Sequence, residues 1–278
     1  DINIKGKLDK LEYNIDKKKD QYFFSTNVNI DKNLLLVDAL QYKKKANIKS
    51  SLKLNGIYKK NDKITFSSIS FTENKNNFLI KKLNLNKNFK VLNIKKLKFN
   101  FINENNIKNQ IKLERNKNKY QIIGKSFDAS KLINIILHSK QDEDSSSIFN
   151  NLNTNLNIDI KKTYLDKNTY VKNLTGKVSF KKNKINKLNL KSIFPDNKEL
   201  IMTINTNKKN EKITTFFSGQ PKSLVDQYKF IKGFEEGILD FYSIEKNGIS
   251  NSVLKIDNFK LQEVPVLAKI LTLASLQG

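Results

Sequence analysis

The sequence predicts a mainly β protein: a long antiparallel meander, curled into an elongated groove or an open sandwich, with short helices. Two observations predict the sheet, namely apolar residues at every second position over most of the chain and turn-forming tetrapeptides between those stretches. A third observation, a mostly apolar segment at residues 264–276, predicts a closing helix. Of the 278 residues, 38% are hydrophobic, which is enough for a core or an apolar lined surface.

Alternation places apolar and polar side chains on opposite faces of a strand, which is the pattern of a half-buried antiparallel sheet. The alternating sets are Leu52/Leu54, Ile64/Phe66, Leu83/Leu85, Leu97/Phe99/Phe101, Ile111/Leu113, Leu156/Ile158/Ile160, Val178/Phe180, Leu188/Leu190, Met202/Ile204, Leu239/Phe241 and Leu254/Ile256. At a spacing of about 8–12 residues per strand, the chain has room for roughly twenty short strands.

Hairpin turns are predicted where Asn, Asp and Lys cluster, because Asn and Asp tolerate the left-handed backbone that tight turns require. The tetrapeptides are KKND (59–62), NENN (103–106), RNKN (115–118), KKNK (181–184), NKKN (207–210) and EKNG (245–248). Among them, Asn247-Gly248 is the strongest hairpin dipeptide. Consecutive strands are therefore expected to pair as a meander.

A short packed helix is predicted within residues 124–137, where Asp128 or Ser130 can serve as the N-cap and five large aliphatic residues follow. Residues 141–147 are polar, acidic and serine-rich, which is typical of a flexible linker. The predicted domains are therefore a β-meander groove segment at 1–140 that ends in the short helix, the linker, and a C-terminal β segment at 148–278.

The closing helix is predicted at residues 264–277, with one narrow polar stripe and apolar residues around the rest of its circumference. Such a helix is buried on most sides, so we expect it to cap the end of the groove. The residues expected to form this end cap are Pro265, Leu267, Ile270, Leu271 and Ala274. Its expected docking surface comprises Ile238, Val253, Ile256 and Phe259. An ordinary core helix that crosses a sandwich fits the same pattern.

An apolar sheet face can shelter lipid tails without specific polar contacts, and this makes a groove an alternative to a filled sandwich. The residues predicted to line the groove are Leu97, Phe99, Phe101, Leu156, Ile158, Ile160, Phe241 and Ile256.

The net charge of +25 raises the question of nucleic-acid binding, since clustered lysines neutralise phosphates. Arg115 is the only arginine, however, although arginine is the usual reader of phosphate and guanine. The lysines are also spread along the whole chain. We therefore expect no specific nucleic-acid partner.

No enzymatic centre is evident from the sequence. Cysteine is absent, and the single histidine, His138, borders the linker. Zinc binding or Ser-His catalysis thus lacks its usual parts. The acidic clusters at 141–144, at Asp196 and Glu199, and at Glu235-Glu236 are typical of solvated charge. We expect a non-enzymatic protein with no cofactor and no metal.

The closing segment "DNFKLQEVPVLAKILTLASLQG" (257–278) resembles the C-terminal signature of AsmA-like envelope proteins, in the YhdP-type branch. "FEEGILDF" (234–241) and "GKSFDASKLI" (124–133) are more loosely similar to other elements of that family. Asn258 stands where the family commonly has aspartate, and Glu236 replaces a glycine. The family continues beyond this motif and begins with a membrane-spanning helix, so we expect this chain to be an internal fragment.

The resemblance implies a periplasmic protein anchored in the inner membrane of a Gram-negative bacterium. It implies that phospholipid is the ligand, carried in a β groove toward the outer membrane, and that outer-membrane components are possible partners. A structural or chaperone-like scaffold for outer-membrane protein assembly, acting by strand addition, is the alternative function.

Overall fold

The computed structural model describes residues 2–5, 9–117, 119–132, 149, 151–222 and 234–261. Strands account for 73% of the described residues, so the predicted mainly β class is confirmed. The strands are β1 (Ile2–Lys5), β2 (Lys10–Lys18), β3 (Gln21–Asn29), β4 (Leu34–Val37), β5 (Tyr42–Lys44), β6 (Ser50–Lys59), β7 (Lys63–Glu73), β8 (Asn76–Asn86), β9 (Val91–Ile102), β10 (Lys108–Asn116), β11 (Lys119–Asp128), β12 (Thr154–Tyr164), β13 (Tyr170–Lys181), β14 (Lys184–Ile193), β15 (Glu199–Thr206), β16 (Lys212–Ser218), β17 (Phe234–Lys246) and β18 (Ile249–Leu261).

Fifteen strands form one long mixed sheet that does not close on itself. Their order is β18-β17-β16-β15-β14-β13-β12-β11-β10-β9-β8-β7-β6-β3-β2, and β1, β4 and β5 form a separate three-stranded sheet. Strands that follow one another in the chain are therefore mostly neighbours in the sheet, as in the predicted meander. The described residues contain eighteen strands, and several are longer than expected, up to 13 residues in β17 and β18.

One connection departs from the antiparallel meander: β11 and β12 run parallel. A parallel pair requires the chain to return to the starting end of the sheet, which a tight turn cannot do. Residues 129–153 connect the two strands in the sequence, and among those that are described Phe149 forms an isolated bridge to Val91 of β9.

The predicted turns are confirmed, because each of the six tetrapeptides contains a left-handed residue. These residues are Asn61, Asn106, Lys117, Asn183, Asn210 and Asn247, with φ between 52° and 65°. All eleven alternating sets also lie within strands.

The short helix is described only at its start, where residues 130–132 are helical. Asp128 acts as the N-cap, since its Oδ1 accepts a hydrogen bond from the Ser130 amide at 3.0 Å. The rest of this helix, the linker at 141–147 and the closing helix at 264–277 lie outside the described residues. The chain forms two compact units, Asp1–Leu188 and Asn189–Gly278.

One core of the first unit lies where β4, β5 and the intervening 3₁₀ turn Asp38–Leu40 pack against the long sheet. Tyr42 is the centre of this core, with ring centroids of Phe71, Phe78 and Phe101 within 6.0 Å of its own. The other buried members are Ile30 and Leu35, and partly buried neighbours include Val28, Leu52 and Phe99.

Candidate functional site

In the first unit, rows of apolar residues lie on one face of the long sheet. Directly paired residues of neighbouring strands share a face, so the register shows which side chains form rows across the sheet. A central row contains one residue from each of β6–β12: Leu54, Ile69, Ile80, Leu97, Leu113, Ile122 and Ile158. The adjacent row contains Val28, Leu52, Phe71, Phe78, Phe99, Ile111, Gly124, Ile160 and Leu174. We call this surface the apolar face.

The predicted lining residues of β9 and β12 lie on the apolar face. Leu97 and Ile158 share the central row, and Phe99 and Ile160 share the adjacent row. Leu156 lies on the same face, in a further row between Tyr120 and Val178. Most members of the rows are half-buried, but Ile160 is 5% exposed and Tyr120 8% exposed.

Paired interruptions of the alternation keep apolar residues on this face. Phe66 and Phe71 are five residues apart in β7, and in a regular strand they would point to opposite sides. Phe66 nevertheless packs against Phe24, with ring centroids 5.6 Å apart, while Phe71 belongs to the buried cluster against which Val28 packs. Phe24 and Val28 are four residues apart in β3, which has no left-handed residue, so they share a face.

The interruption occupies the same place in three neighbouring strands. Each strand has two polar residues between two apolar ones: Phe66-Ser67-Ser68-Ile69, Ile80-Lys81-Lys82-Leu83 and Ile94-Lys95-Lys96-Leu97. The apolar ends of these segments pair with one another, as Ile80 with Leu97 and Leu83 with Ile94. Lys82 takes the left-handed conformation, with φ of 50°. Such a local irregularity re-aims the side chains that follow it.

A second interruption crosses β11, β12 and β13. Gly124, Ile160 and Leu174 pair on one side of it, and Phe127, Thr163 and Val171 pair on the other. The second trio is buried, at 8%, 2% and 0% exposure. Asn173 supplies the left-handed residue, with φ of 52°. The apolar face therefore continues past this interruption as well.

The opposite face is polar and internally hydrogen-bonded. Ser25 donates to Asn55 at 2.8 Å and Asn55 donates to Ser68 at 3.1 Å, which links β3, β6 and β7. Further along, Lys96 pairs with Glu114 at 3.0 Å. Hydrogen bonds from Lys112 and Lys96 lower the pKa of the Glu114 carboxyl, so this carboxylate stays charged at neutral pH. The two faces of the sheet thus differ sharply in chemistry.

The end of the apolar face beneath β4 and β5 is already filled by the chain itself. Phe101, one of the predicted lining residues, is 1% exposed there, with its ring centroid 5.7 Å from that of Tyr42. The Tyr42 hydroxyl donates to Glu73 at 2.5 Å, and burial raises the pKa of this hydroxyl. Surface available to a ligand would therefore lie along the central row, away from this core.

A buried lysine holds the covering segment in place. Lys44 is 0% exposed, and its Nζ donates to the carbonyl oxygens of Asn33 at 2.8 Å, Asp31 at 3.1 Å and Lys45 at 3.1 Å. Burial lowers the pKa of Lys44, and the nearby carboxylates of Asp9, Asp31 and Glu73 oppose this change.

The second unit has its own apolar cluster, in which Leu239 packs with Phe216, Phe241 and Ile256. The predicted lining residues Phe241 and Ile256 therefore lie together, although Leu254, paired with Phe241, is 56% exposed.

The expected docking surface for the closing helix is wrong in one respect. Leu239 pairs with Ile256, whereas Ile238 pairs with Asp257 and Tyr242 pairs with Val253. Ile238 and Val253 consequently lie on the face opposite Ile256, because neighbouring residues of a strand alternate. The expected residues therefore do not form a single surface, and a sequence without a known register does not reveal this.

A cavity of about 420 Å³ lies in the second unit, where β17 and β18 leave the regular geometry. Glu236, Gly237 and Asn258 line it and have φ of 60°, 90° and 55°. Phe217 and Ile238 provide its apolar walls. Lys198 and Glu199 line it as well.

The remaining predicted site residues fall elsewhere. The end-cap residues Pro265, Leu267, Ile270, Leu271 and Ala274 lie outside the described residues, as do His138 and the acidic cluster at 141–144. Within the described ranges, no three His, Cys, Asp or Glu side chains are grouped as metal ligands. A helix with the length and hydropathy to cross a bilayer is likewise not found in that part of the chain.

Comparisons with known proteins do not identify the family. No family model matches the chain, and searches of curated proteins and of solved structures each returned no significant match. The resemblance to AsmA-like proteins therefore stays a prediction.

Sequence reasoning overlooked both the interruptions and the Tyr42–Lys44 segment. The interruptions could have been recognised from two polar residues between two apolar ones, a pattern that recurs in FSSI (66–69), IKKL (80–83) and IKKL (94–97). No local signal marks Lys44, which stands in a run of three lysines.

Proposed function

We propose that this chain is a non-enzymatic segment of an inner-membrane-anchored periplasmic lipid-transfer protein. Its apolar face shelters phospholipid acyl chains between the inner and outer membranes, in a groove formed by curvature of the long sheet. The observation that carries the proposal is the unbroken central row of aliphatic residues across seven strands.

The dimensions of this row suit an acyl chain. Neighbouring strands are about 4.8 Å apart, so seven strands extend over roughly 29 Å. One leaflet's tails occupy about 15 Å, half of a hydrocarbon core of about 30 Å. The central row is therefore long enough to contact an acyl chain along its whole length. Each methylene removed from water contributes about 0.8 kcal/mol to the free energy of binding.

The polar opposite face also supports lipid binding on the apolar face. A sheet with one apolar and one hydrated face can offer the first to a lipid while the second stays in water. The hydrogen-bonded side chains of Ser25, Asn55 and Ser68 lie on this opposite face.

Two adjacent isoleucines of β11 provide a matched test. Ile122 lies in the central row, whereas Ile123 is 45% exposed on the polar face between Lys112 and Asp159. The purified chain is incubated with phosphatidylethanolamine–phosphatidylglycerol vesicles that contain a tail-labelled fluorescent phospholipid, and the lipid that co-elutes with the protein is measured. Ile122→Asn should lower the bound lipid roughly tenfold, since an unpaired amide costs about 1–3 kcal/mol among acyl chains. Ile123→Asn should leave it unchanged.

Circular dichroism and thermal melting of both variants separate a local loss of binding from unfolding. A folded wild-type chain that binds no lipid, or equal binding by the two folded variants, would contradict the proposal.

The alternative is a structural or chaperone-like scaffold in outer-membrane protein assembly. It is favoured by the outer edges of β2 and β18, which pair with no other strand among the described residues. This function requires binding of unfolded β-barrel segments by strand addition. Such binding should be insensitive to Ile122→Asn, so the same variant distinguishes the two functions.

A further inference from the structure

Strand β2 forms one edge of the long sheet and exposes apolar side chains there. Leu11, Tyr13 and Ile15 are 56%, 68% and 56% exposed, although they continue the rows of the apolar face through Val28, Thr26 and Phe24. An exposed, regular edge strand with apolar residues is a template for pairing with another chain.

The hairpin geometry shows which backbone groups face outward. Lys18 pairs with Gln21 across the two-residue turn Lys19–Asp20, so this is the hydrogen-bonded pair nearest the turn. Hydrogen-bonded pairs recur at every second residue, which directs the amide and carbonyl groups of even-numbered β2 residues toward β3. The groups of Leu11, Tyr13 and Ile15 consequently face the open edge.

We propose that β2 pairs with β2 of a second copy of this chain, antiparallel, about a two-fold axis at Tyr13. In this register Lys10 lies opposite Asp16 of the other copy, and Leu11 lies opposite Ile15. Glu12 lies opposite Asn14, and the two Tyr13 residues face each other. By symmetry each pairing occurs twice, which gives two ion pairs and two aliphatic pairs.

Neighbouring registers are disfavoured by charge. A two-fold axis at Glu12 places the two Glu12 carboxylates opposite each other. An axis at Asn14 places Lys10 opposite Lys18 and Glu12 opposite Asp16. Like charges directly opposite are destabilising in a sheet. The sequence KLEYNIDKK of β2 is therefore self-complementary in the Tyr13 register and not in the adjacent ones.

The other edge strand is less suited to this pairing. β18 contains Asn258 with φ of 55°, opposite Gly237 with φ of 90°, so its edge is bent near one end. Irregularities of this kind protect sheet edges from pairing. β2 has no left-handed residue between Lys10 and Lys18.

Single cysteines test the register, because the chain contains no cysteine of its own. Leu11→Cys and Ile15→Cys chains are prepared separately and oxidised either alone or as a mixture. Directly opposite residues have Cα atoms about 5.5 Å apart, within reach of a disulfide. Residue 11 is about 14 Å from its own symmetry mate, as is residue 15. The mixture should form a disulfide-linked heterodimer, whereas each variant alone should stay largely unlinked.

Sedimentation of the full chain tests the pairing without cross-linking. Asp16→Lys places a lysine opposite Lys10 of the other copy in both symmetry-related pairs, and this repulsion should weaken dimerisation roughly tenfold. The double variant Lys10→Asp/Asp16→Lys restores opposite charges and should recover it. Tyr13→Pro removes an outward amide that the single copy does not use in the sheet, so it should abolish the dimer while β2 stays paired with β3.

The result expected is a dimer that responds to all three changes in this way. The inference is overturned by a wild-type chain that is monomeric at about 100 μM, by a dimer that persists in Tyr13→Pro, or by equal cross-linking of the single variants and the mixture.

Discussion

Gly56 is the position where the packing of the apolar face can be tested most sharply. A Cβ atom at this glycine would lie 2.5 Å from the Thr65 carbonyl oxygen and 2.6 Å from Cζ of Phe24. Both distances are far inside van der Waals contact, and the first involves backbone that cannot move without disturbing β7. Gly56→Ala should therefore destabilise the first unit despite the small size of the added methyl group.

The magnitude follows from three contributions. Overpacking of a filled site costs about 1–3 kcal/mol. Displacing the Phe24 ring weakens its edge contact with Phe66, at 5.6 Å and 80°, which contributes about 0.5–1.5 kcal/mol. Alanine restricts the unfolded chain more than glycine does, and this offsets about 0.5–1 kcal/mol. We expect a net loss of about 0.5–4 kcal/mol.

Urea denaturation, followed by circular dichroism and tyrosine fluorescence, measures this loss as a lower midpoint at unchanged slope. Gly248→Ala is the control, because nothing lies within 4 Å of its added Cβ and only its φ of 79° is unfavourable. That variant should lose about 1 kcal/mol through backbone strain. A Gly56→Ala chain as stable as the wild type would refute the close packing of Phe24 over this glycine.

Two further predictions concern backbone conformation and a buried charge. Lys82→Gly should raise the free energy of unfolding by up to about 1 kcal/mol, because glycine relieves the left-handed conformation at this position. Lys81→Gly, one residue away and also exposed, should lower the free energy of unfolding by about 0.5–1 kcal/mol. Thermal melts that rank the two variants in the reverse order would contradict the interruption in β8. Lys44→Met should cost about 1–3 kcal/mol at pH 7, because three carbonyl oxygens lose their donor. Because burial lowers the pKa of Lys44 in the folded state, the unfolded state binds more protons between that pKa and about 10.5, so the wild type gains stability as pH rises through this window. Lys44→Met should lack this gain, and parallel pH dependences of the two chains in urea titrations would argue against it.

The regular part of the fold could be predicted from the sequence because it depends on local signals. Alternation identifies a strand such as β9, and an asparagine such as Asn106 marks the turn that follows it. Both signals act within a few residues and survive in any tertiary context that buries one face of a sheet.

The remaining features depend on long-range contacts. Lys44 lies in a run of three lysines that reads as solvated, yet it is buried because β4 and β5 fold over the sheet. The parallel pairing of β11 with β12 joins strands that are 25 residues apart in the chain and has no local signature. Which lining residues are covered could not be predicted either, since the core around Tyr42 covers Phe101, while the central row that includes Leu97 lies away from it.

Direct contact between lipid tails and the apolar face is the most decisive measurement. A photo-crosslinking phenylalanine analogue is placed at Ile122 or at Ile123, the chain is irradiated with phospholipid vesicles, and protein–lipid adducts are identified by mass spectrometry. We expect adducts to acyl carbons from position 122 and none above background from position 123. Equal labelling at both positions, or no acyl adduct at 122 in a folded chain, would contradict the claim that one face of this sheet receives the lipid.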